Sequence, residues 1–283
     1  MTTETPSGKN ADQENFPVGS FLIAAHLRPH VAAFYDFARA ADDISDSPDL
    51  GPLEKITRLD AFERVLIGEA PDAPGFEKAI SLRNSLAQCG VTPDHARALL
   101  SAFRQDAIKK RYQDWRELHE YCQRSADPVG RFLLDLHGES GGLYPFSDAL
   151  CSALQVLNHL QDCGDDLRAL DRCYVPRDWM EEAGGDLSEL LLPQSGAAFA
   201  QTKEKMIAKI RGWLVLSRQL PRGLRNARLA MESAVIVALA HRLTDLLSKQ
   251  DPLARRVALS KVDFFVAGIQ GVLIGYFGRQ RAA

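Results

Sequence analysis

Two stretches of this 283-residue chain carry charge where charge is hardest to place. From Arg28 to Asp46, RPHVAAFYDFARAADDISD, the residues Tyr35, Arg39, Asp42 and Asp46 stack at helical spacing on one stripe. Val31, Phe34, Phe37, Ala38, Ala41 and Ile44 make most of the remaining surface apolar. From Ala153 to Asp166, ALQVLNHLQDCGDD, the residues Gln155, Asn158, Asp162 and Asp166 repeat the arrangement among Leu154, Val156, Leu157 and Leu160. Uncompensated carboxylates are expensive in an apolar interior. The pattern therefore predicts two largely buried helices whose charged strips line one internal cavity, with something cationic between them.

Each strip ends in DxxxD. Asp at i and i+4 projects two carboxylates from successive turns of one face, about 40° apart in rotation, where like charges repel. Such oxygens suit a hard divalent cation, and magnesium commonly takes one or two protein carboxylates, waters and substrate phosphate oxygens. A single acidic DDxxD is commonly a solvated helix end. Two of them, each with an aligned polar extension upstream, predict helices that clamp a diphosphate from both sides.

No alternation of strand type with hairpin turns occurs, so the fold class is all-α, one helical bundle with a central cavity. Residues 1–14 read as a disordered lead and residues 15–283 as a single domain. Helical patterns cover Leu53 to Ile67, Phe76 to Cys89, Pro93 to Lys110, Ala197 to Gln219, Leu224 to Ser248 and Pro252 to Phe277. A long pattern from Trp115 to Leu136 is broken at Pro128 and Gly130, and His137 to Phe146 reads as a loop. The net charge of −3 and the lack of a basic stripe argue against nucleic acid. Five cysteines without CxxC spacing, and no signal-peptide pattern, suit a reduced, cytoplasmic protein. The apolar run from Val262 to Phe277 is shorter than the roughly 20 residues that span a bilayer and reads as a packed helix.

On these residues the chain resembles the squalene/phytoene synthase family, from about Ser20 to Lys261. Tyr35, Arg39, Asp42, Asp43 and Asp46 match the first motif; Gln155, Asn158, Asp162 and Asp166 match the second. Ser20 and Phe21 match its entry pair, Tyr121, Cys122, Val129 and Gly130 its Tyr-Cys segment, and Tyr174 and Pro176 its Tyr-x-Pro. Three departures stand out: Gln161 replaces an arginine, His241 replaces a C-terminal tyrosine, and YCQRSADPVG replaces the usual Tyr-Cys segment. With the opening ENFPVGSF, these point to the branch that serves hopanoid biosynthesis. The resemblance implies an isoprenoid synthase bundle acting on presqualene diphosphate: diphosphate leaves, the cyclopropylcarbinyl cation rearranges, and water captures it.

The implied roles follow. Asp42, Asp46, Asp162 and Asp166 are the metal positions, for two or three Mg2+ ions, and no nicotinamide is expected because water replaces hydride. Asp43 and Asp165 are expected behind them or in solvent. Arg39 pairs with phosphate or orients an aspartate. Gln155, Asn158 and Arg256 contact diphosphate or metal-bound water, and Ser20, Phe21, Tyr35 and Tyr121 contact substrate. Phe21, Phe34, Phe37, Val129, Leu133, Leu134 and Leu157 are candidate walls for the hydrocarbon. His159, Gln161 and His241 are candidates to aim the water. An oily substrate makes peripheral contact with the inner face of the membrane, and association with other squalene-pathway enzymes, natural expectations. The competing readings are a head-to-head condensing enzyme making presqualene diphosphate or phytoene, a class I terpene cyclase, and a non-enzymatic helical assembly factor. The last should have lost acidic positions that this chain keeps.

Overall fold

The first acidic stretch forms α1 (Arg28–Asp46), opened by Pro29, whose missing N–H costs nothing in a first turn. Its apolar side is buried, with Phe37, Ala41 and Ile44 fully enclosed. A computed structural model describes residues 22–277 of the chain. The lead at residues 1–14, Ser20 and Phe21 lie outside the described residues.

Three helices pack beside α1: α2 (Pro52–Leu66), α3 (Glu77–Cys89) and α4 (Asp94–Ile108). Then come α5 (Trp115–Ser125), α6 (Asp127–Leu136) and the second acidic helix, α7 (Tyr144–Leu170). The remainder is α8 (Arg177–Glu182), α9 (Ala197–Ser217), α10 (Leu220–Gly223), α11 (Ala227–Lys249) and α12 (Lys261–Phe277). Among the described residues there is no strand, only an isolated parallel bridge between Arg111 and Cys173. That bridge matters. Cys173 N–H donates to Lys110 C=O at 2.9 Å, which lays the extended segment 172–174 against the end of α4.

Two apolar clusters build the core. One joins α1 to α4 and takes Phe132 and Leu136 from α6; the other gathers α5, α7, α9 and α11. Helix α6 stitches them, with Phe132 stacked on Phe34 at 4.0 Å between ring centroids.

The structure moves several boundaries. The break after α5 falls at Ala126, not at Pro128 or Gly130: a proline is tolerated in a helix's first turn, so α6 starts one residue before Pro128. The stretch His137 to Phe146 is only partly a loop, since residues 141–143 form a 3-10 turn and α7 begins at Tyr144. The helix expected from Pro252 begins at Lys261. Asp251 holds the backbone N–H groups of Ser195 and Leu253 in a turn instead, and Ser260 and Asp263 form a reciprocal cap at the start of α12.

Candidate active site

Helices α1 and α7 face each other across a polar cleft of about 290 Å3. Tyr35, Arg39, Asp42 and Asp46 line it from α1; Gln155, His159 and Asp166 line it from α7. Asp106 of α4, Tyr121 and Ser125 of α5, and Arg172 and Tyr174 of the bridged segment close the floor.

The charges interlock. Arg39 lies 3.1 Å from Asp42 through Nη1 and donates from Nη2 to Asp43 at 2.9 Å. Asp43 is therefore buried behind Arg39 and does not face solvent, while Asp165 is exposed and paired with Arg168. Buried Arg172 donates to Asp46 at 2.9 Å and to the Asp106 carbonyl at 3.1 Å. Tyr121 and Tyr174 both donate to the Asp106 carboxylate, at 2.7 and 3.1 Å. His159 stacks on Tyr174 with centroids 3.5 Å apart, and its Nε2 lies 3.2 Å from the Gln155 amide nitrogen.

Protonation follows from burial. Asp42 is pushed up to about 8, first by desolvation in the cleft and then by the charge of Asp46, against the lowering pull of Arg39. Asp106 rises to about 6 by burial, against the lowering pull of Arg172 and of the hydrogen bonds from Tyr121 and Tyr174. Burial and the neighbouring Arg172 press His159 down to about 3, so it is neutral at ordinary pH. Tyr121 and Tyr174 rise far above the usual phenol range, chiefly by burial and then by the Asp106 charge, and remain donors.

The remaining sequence candidates divide. Asn158 and Asp162 sit on the same face of α7 but do not line the cleft; Asp162 lies 3.6 Å from Arg256, which is 62 % exposed. Gln161, which stands where the family has an arginine, does not line the cleft and donates to the Val257 carbonyl at 2.6 Å. His241 accepts from Arg218 away from the cleft lining. Of the three candidates for aiming water, His159 alone lines the cleft. Asp106 and Arg172 escaped the sequence reading, although Asp106 continues the buried Leu99 and Phe103 stripe of α4, and Arg172 alternates with Tyr174 in an extended segment.

An apolar cavity of about 260 Å3 adjoins the cleft, and Tyr35 and Ala38 line both. Phe34, Val129, Leu133 and Leu134 form part of its wall, as expected. Phe37 and Leu157 do not: both are fully enclosed in the core. Phe21 lies outside the described residues.

Magnesium fits the donors present. They are carboxylate and amide oxygens, and burial raises Asp42 in spite of Arg39, so a cation in the cleft would restore the charge that desolvation disfavours. Buried Ser125 Oγ lines the cleft without a hydrogen-bond partner, as a surface made to meet a polar ligand would. Among the described residues no group of three or more His, Cys, Asp or Glu is placed to hold an ion alone. An ion here would be shared with phosphate oxygens and water, the usual habit of magnesium.

The sequence profile of squalene/phytoene synthases matches residues 10–263. A protein named hydroxysqualene synthase from Rhodopseudomonas palustris is 43% identical over 94% of this chain and 90% of its own length. One of the same name from Zymomonas mobilis is 42% identical over 91% of this chain and 86% of its own. The crystal structure of a squalene synthase from Alicyclobacillus acidocaldarius superposes with a TM-score of 0.71 at 30% identity, covering 81% of this chain and 85% of that one. A dehydrosqualene synthase solved with a ligand gives a TM-score of 0.73 at 19% identity, over 96% and 92% of the two chains, and so shares the fold. The chain belongs to the squalene/phytoene synthase family.

Proposed function

We propose that this chain converts presqualene diphosphate and water to hydroxysqualene and diphosphate. The observation that carries the reading is the junction of an acidic cleft with an apolar cavity at Tyr35 and Ala38, which suits a molecule with a diphosphate head and hydrocarbon tails. The names and extent of the relatives support the same product.

Asp42 and Asp46 on one side, and Asp166 on the other, would hold Mg2+ in the cleft, and Asp162, one turn before Asp166 but outside the cleft lining, would join them through a metal-bound water. When bound, the ion supplies Lewis-acid neutralisation of the leaving diphosphate. Arg39 orients Asp42, and Arg172 fixes Asp46, so the carboxylates meet the head group without rearranging. Gln155 donates an amide hydrogen bond at the cleft wall. Tyr121, lining the cleft beside the stacked rings of Tyr174 and His159, offers an aromatic ring to positive carbon. His159, neutral and in the cleft, accepts the Gln155 amide at Nε2, and would take the proton of the capturing water there once Gln155 turns to the head group.

The apolar wall keeps bulk water out while the cation rearranges. Hydride is not needed, so no nicotinamide is required. Substrate and product of this oiliness also favour a peripheral stay at the inner face of the membrane.

The test is an incubation of purified protein with Mg2+ and no nicotinamide, offering presqualene diphosphate and farnesyl diphosphate separately. A C30 alcohol from the former alone is the expected result. Presqualene diphosphate formed from farnesyl diphosphate would make this a condensing enzyme.

A further inference from the structure

The outer face of α12 is a continuous apolar strip. Val262, Phe265, Val266, Ile269 and Leu273 fall within a sector about 100° wide, and each is 46–69 % exposed. The opposite side packs on α11 beyond its first turn. Ala267 is buried, and Gly271 lets α12 approach α11 at Met231 and Val235, where a side chain would collide. Single exposed hydrophobic residues are ordinary; five aligned on one helix are not.

A cationic rim lies at one end of the strip. Helix α12 runs antiparallel to α11, with Asp263 on Arg242 at 2.7 Å near one end and Gly271 beside Met231 near the other. Its later turns therefore approach α10 and the start of α11. Between Arg211 and Met231 the chain carries Arg211, Arg218, Arg222, Arg225 and Arg228 and no acidic residue. All five arginines are exposed, with Arg211 beside Asp245 and Arg225 beside Glu139.

The same helices wall the hydrocarbon cavity, through Leu220 of α10 and Leu229 and Ile236 of α11. No described helix is long and apolar enough to cross a membrane. An apolar helical strip with an arginine rim suits a helix lying in the plane of an anionic lipid surface. A second copy of the chain could cover the strip; a lipid surface would use both the strip and the arginine rim.

We propose that the outer face of α12, with the arginine rim around α10, docks this protein on an anionic bilayer beside the wall of its hydrocarbon cavity. The reason for such a surface rests on the functional reading above, since a C30 product would then leave without crossing water. The binding itself can be measured without substrate.

The full chain is sedimented with vesicles of phosphatidylethanolamine and phosphatidylglycerol, and with vesicles of phosphatidylcholine alone. Binding to the anionic vesicles should exceed binding to the neutral ones by about tenfold or more and should weaken steeply with added salt. The pairs Phe265→Ser with Ile269→Ser, and Arg222→Gln with Arg228→Gln, should each lower it about fivefold or more at an unchanged melting temperature. Equal binding to both vesicle types, or binding unaffected by both pairs, would overturn the proposal. So would a stable dimer in analytical ultracentrifugation that the Phe265→Ser, Ile269→Ser pair dissociates. Alcohol formation without vesicle binding would remove the docking face and leave the catalytic reading; vesicle binding without alcohol formation would do the reverse.

Discussion

Asp42 shows how a single position can be read before its partners are known. A carboxylate one turn from Asp46 on an otherwise buried helix has to meet a cation, and Arg39 beside it supplies only part of one. Replacing Asp42 or Asp166 by Asn keeps shape and hydrogen bonding but removes the charge. Each change is expected to lower Mg2+-dependent diphosphate release about 100-fold or more, with the melting temperature held. Release within a few-fold of the parent in both variants would refute a clamp acting from two helices. Arg172 was not legible in the same way, because its partners Asp46 and Asp106 lie far along the chain and meet it only through the bridge at Cys173. Arg172→Lys retains the charge but not the fork that reaches Asp46 and the Asp106 carbonyl together. Turnover should fall about tenfold or more, with a stability loss of about 1–3 kcal/mol read by denaturant unfolding. Gln161 teaches the converse: a departure from a motif need not lie in the site, since this side chain bonds the Val257 carbonyl and does not line the cleft.

At the scale of elements, periodicity found the long helices because their apolar stripes repeat locally. It lost the boundaries that side chains set. Asp251 turns the chain where Pro252 was expected to start a helix, and the reciprocal Ser260 and Asp263 cap, readable as S-x-x-D, marks the true start. The joint between α5 and α6 is the most testable of these boundaries. Gly130 there leaves no room: a Cβ would collide with Ser147 Oγ and lie 2.7 Å from Cys151 Sγ on α7. Gly130→Ala should cost about 1–3 kcal/mol by overpacking, and Ser147→Gly in the same chain should recover part of it. Asp127, one residue into α6, is buried, accepts the Ser152 hydroxyl at 2.7 Å, and is pushed up to about 7, first by burial. Its folded value exceeds its unfolded one, so the folded state holds a proton that the unfolded chain has released between about pH 4 and 7. Its contribution is complete below pH 4 and is lost as pH rises through 7. Asp127→Asn cannot ionise, so stability relative to the parent should improve from pH 5 to pH 8 in chemical denaturation. A constant difference across that range would show that Asp127 does not titrate there.

The whole molecule explains why the site lies where it does. The two apolar clusters meet along α1, α6 and α7, and the cleft and the cavity occupy that seam, with one acidic strip contributed from each side. Neither helix alone could bury its carboxylates, so the repeated motif in the sequence already implied the facing pair, while the seam's depth and the floor of Asp106, Tyr121 and Tyr174 depended on tertiary packing. A ligand that bridges the seam must stabilise both halves against unfolding, because it binds only when they are assembled. Inorganic diphosphate with Mg2+, near 100 times its dissociation constant, would add about 2.7 kcal/mol. For a chain of this size that corresponds to roughly 5 °C in melting temperature. Diphosphate without Mg2+, or Mg2+ without diphosphate, should give little of that shift, because the carboxylates repel the first and no three of them cage the second. Asp42→Asn and Asp166→Asn should each reduce the shift, one from either side of the seam. If the shift survived in one and vanished in the other, the head group would be held by a single helix and the symmetry of the two motifs would have another cause.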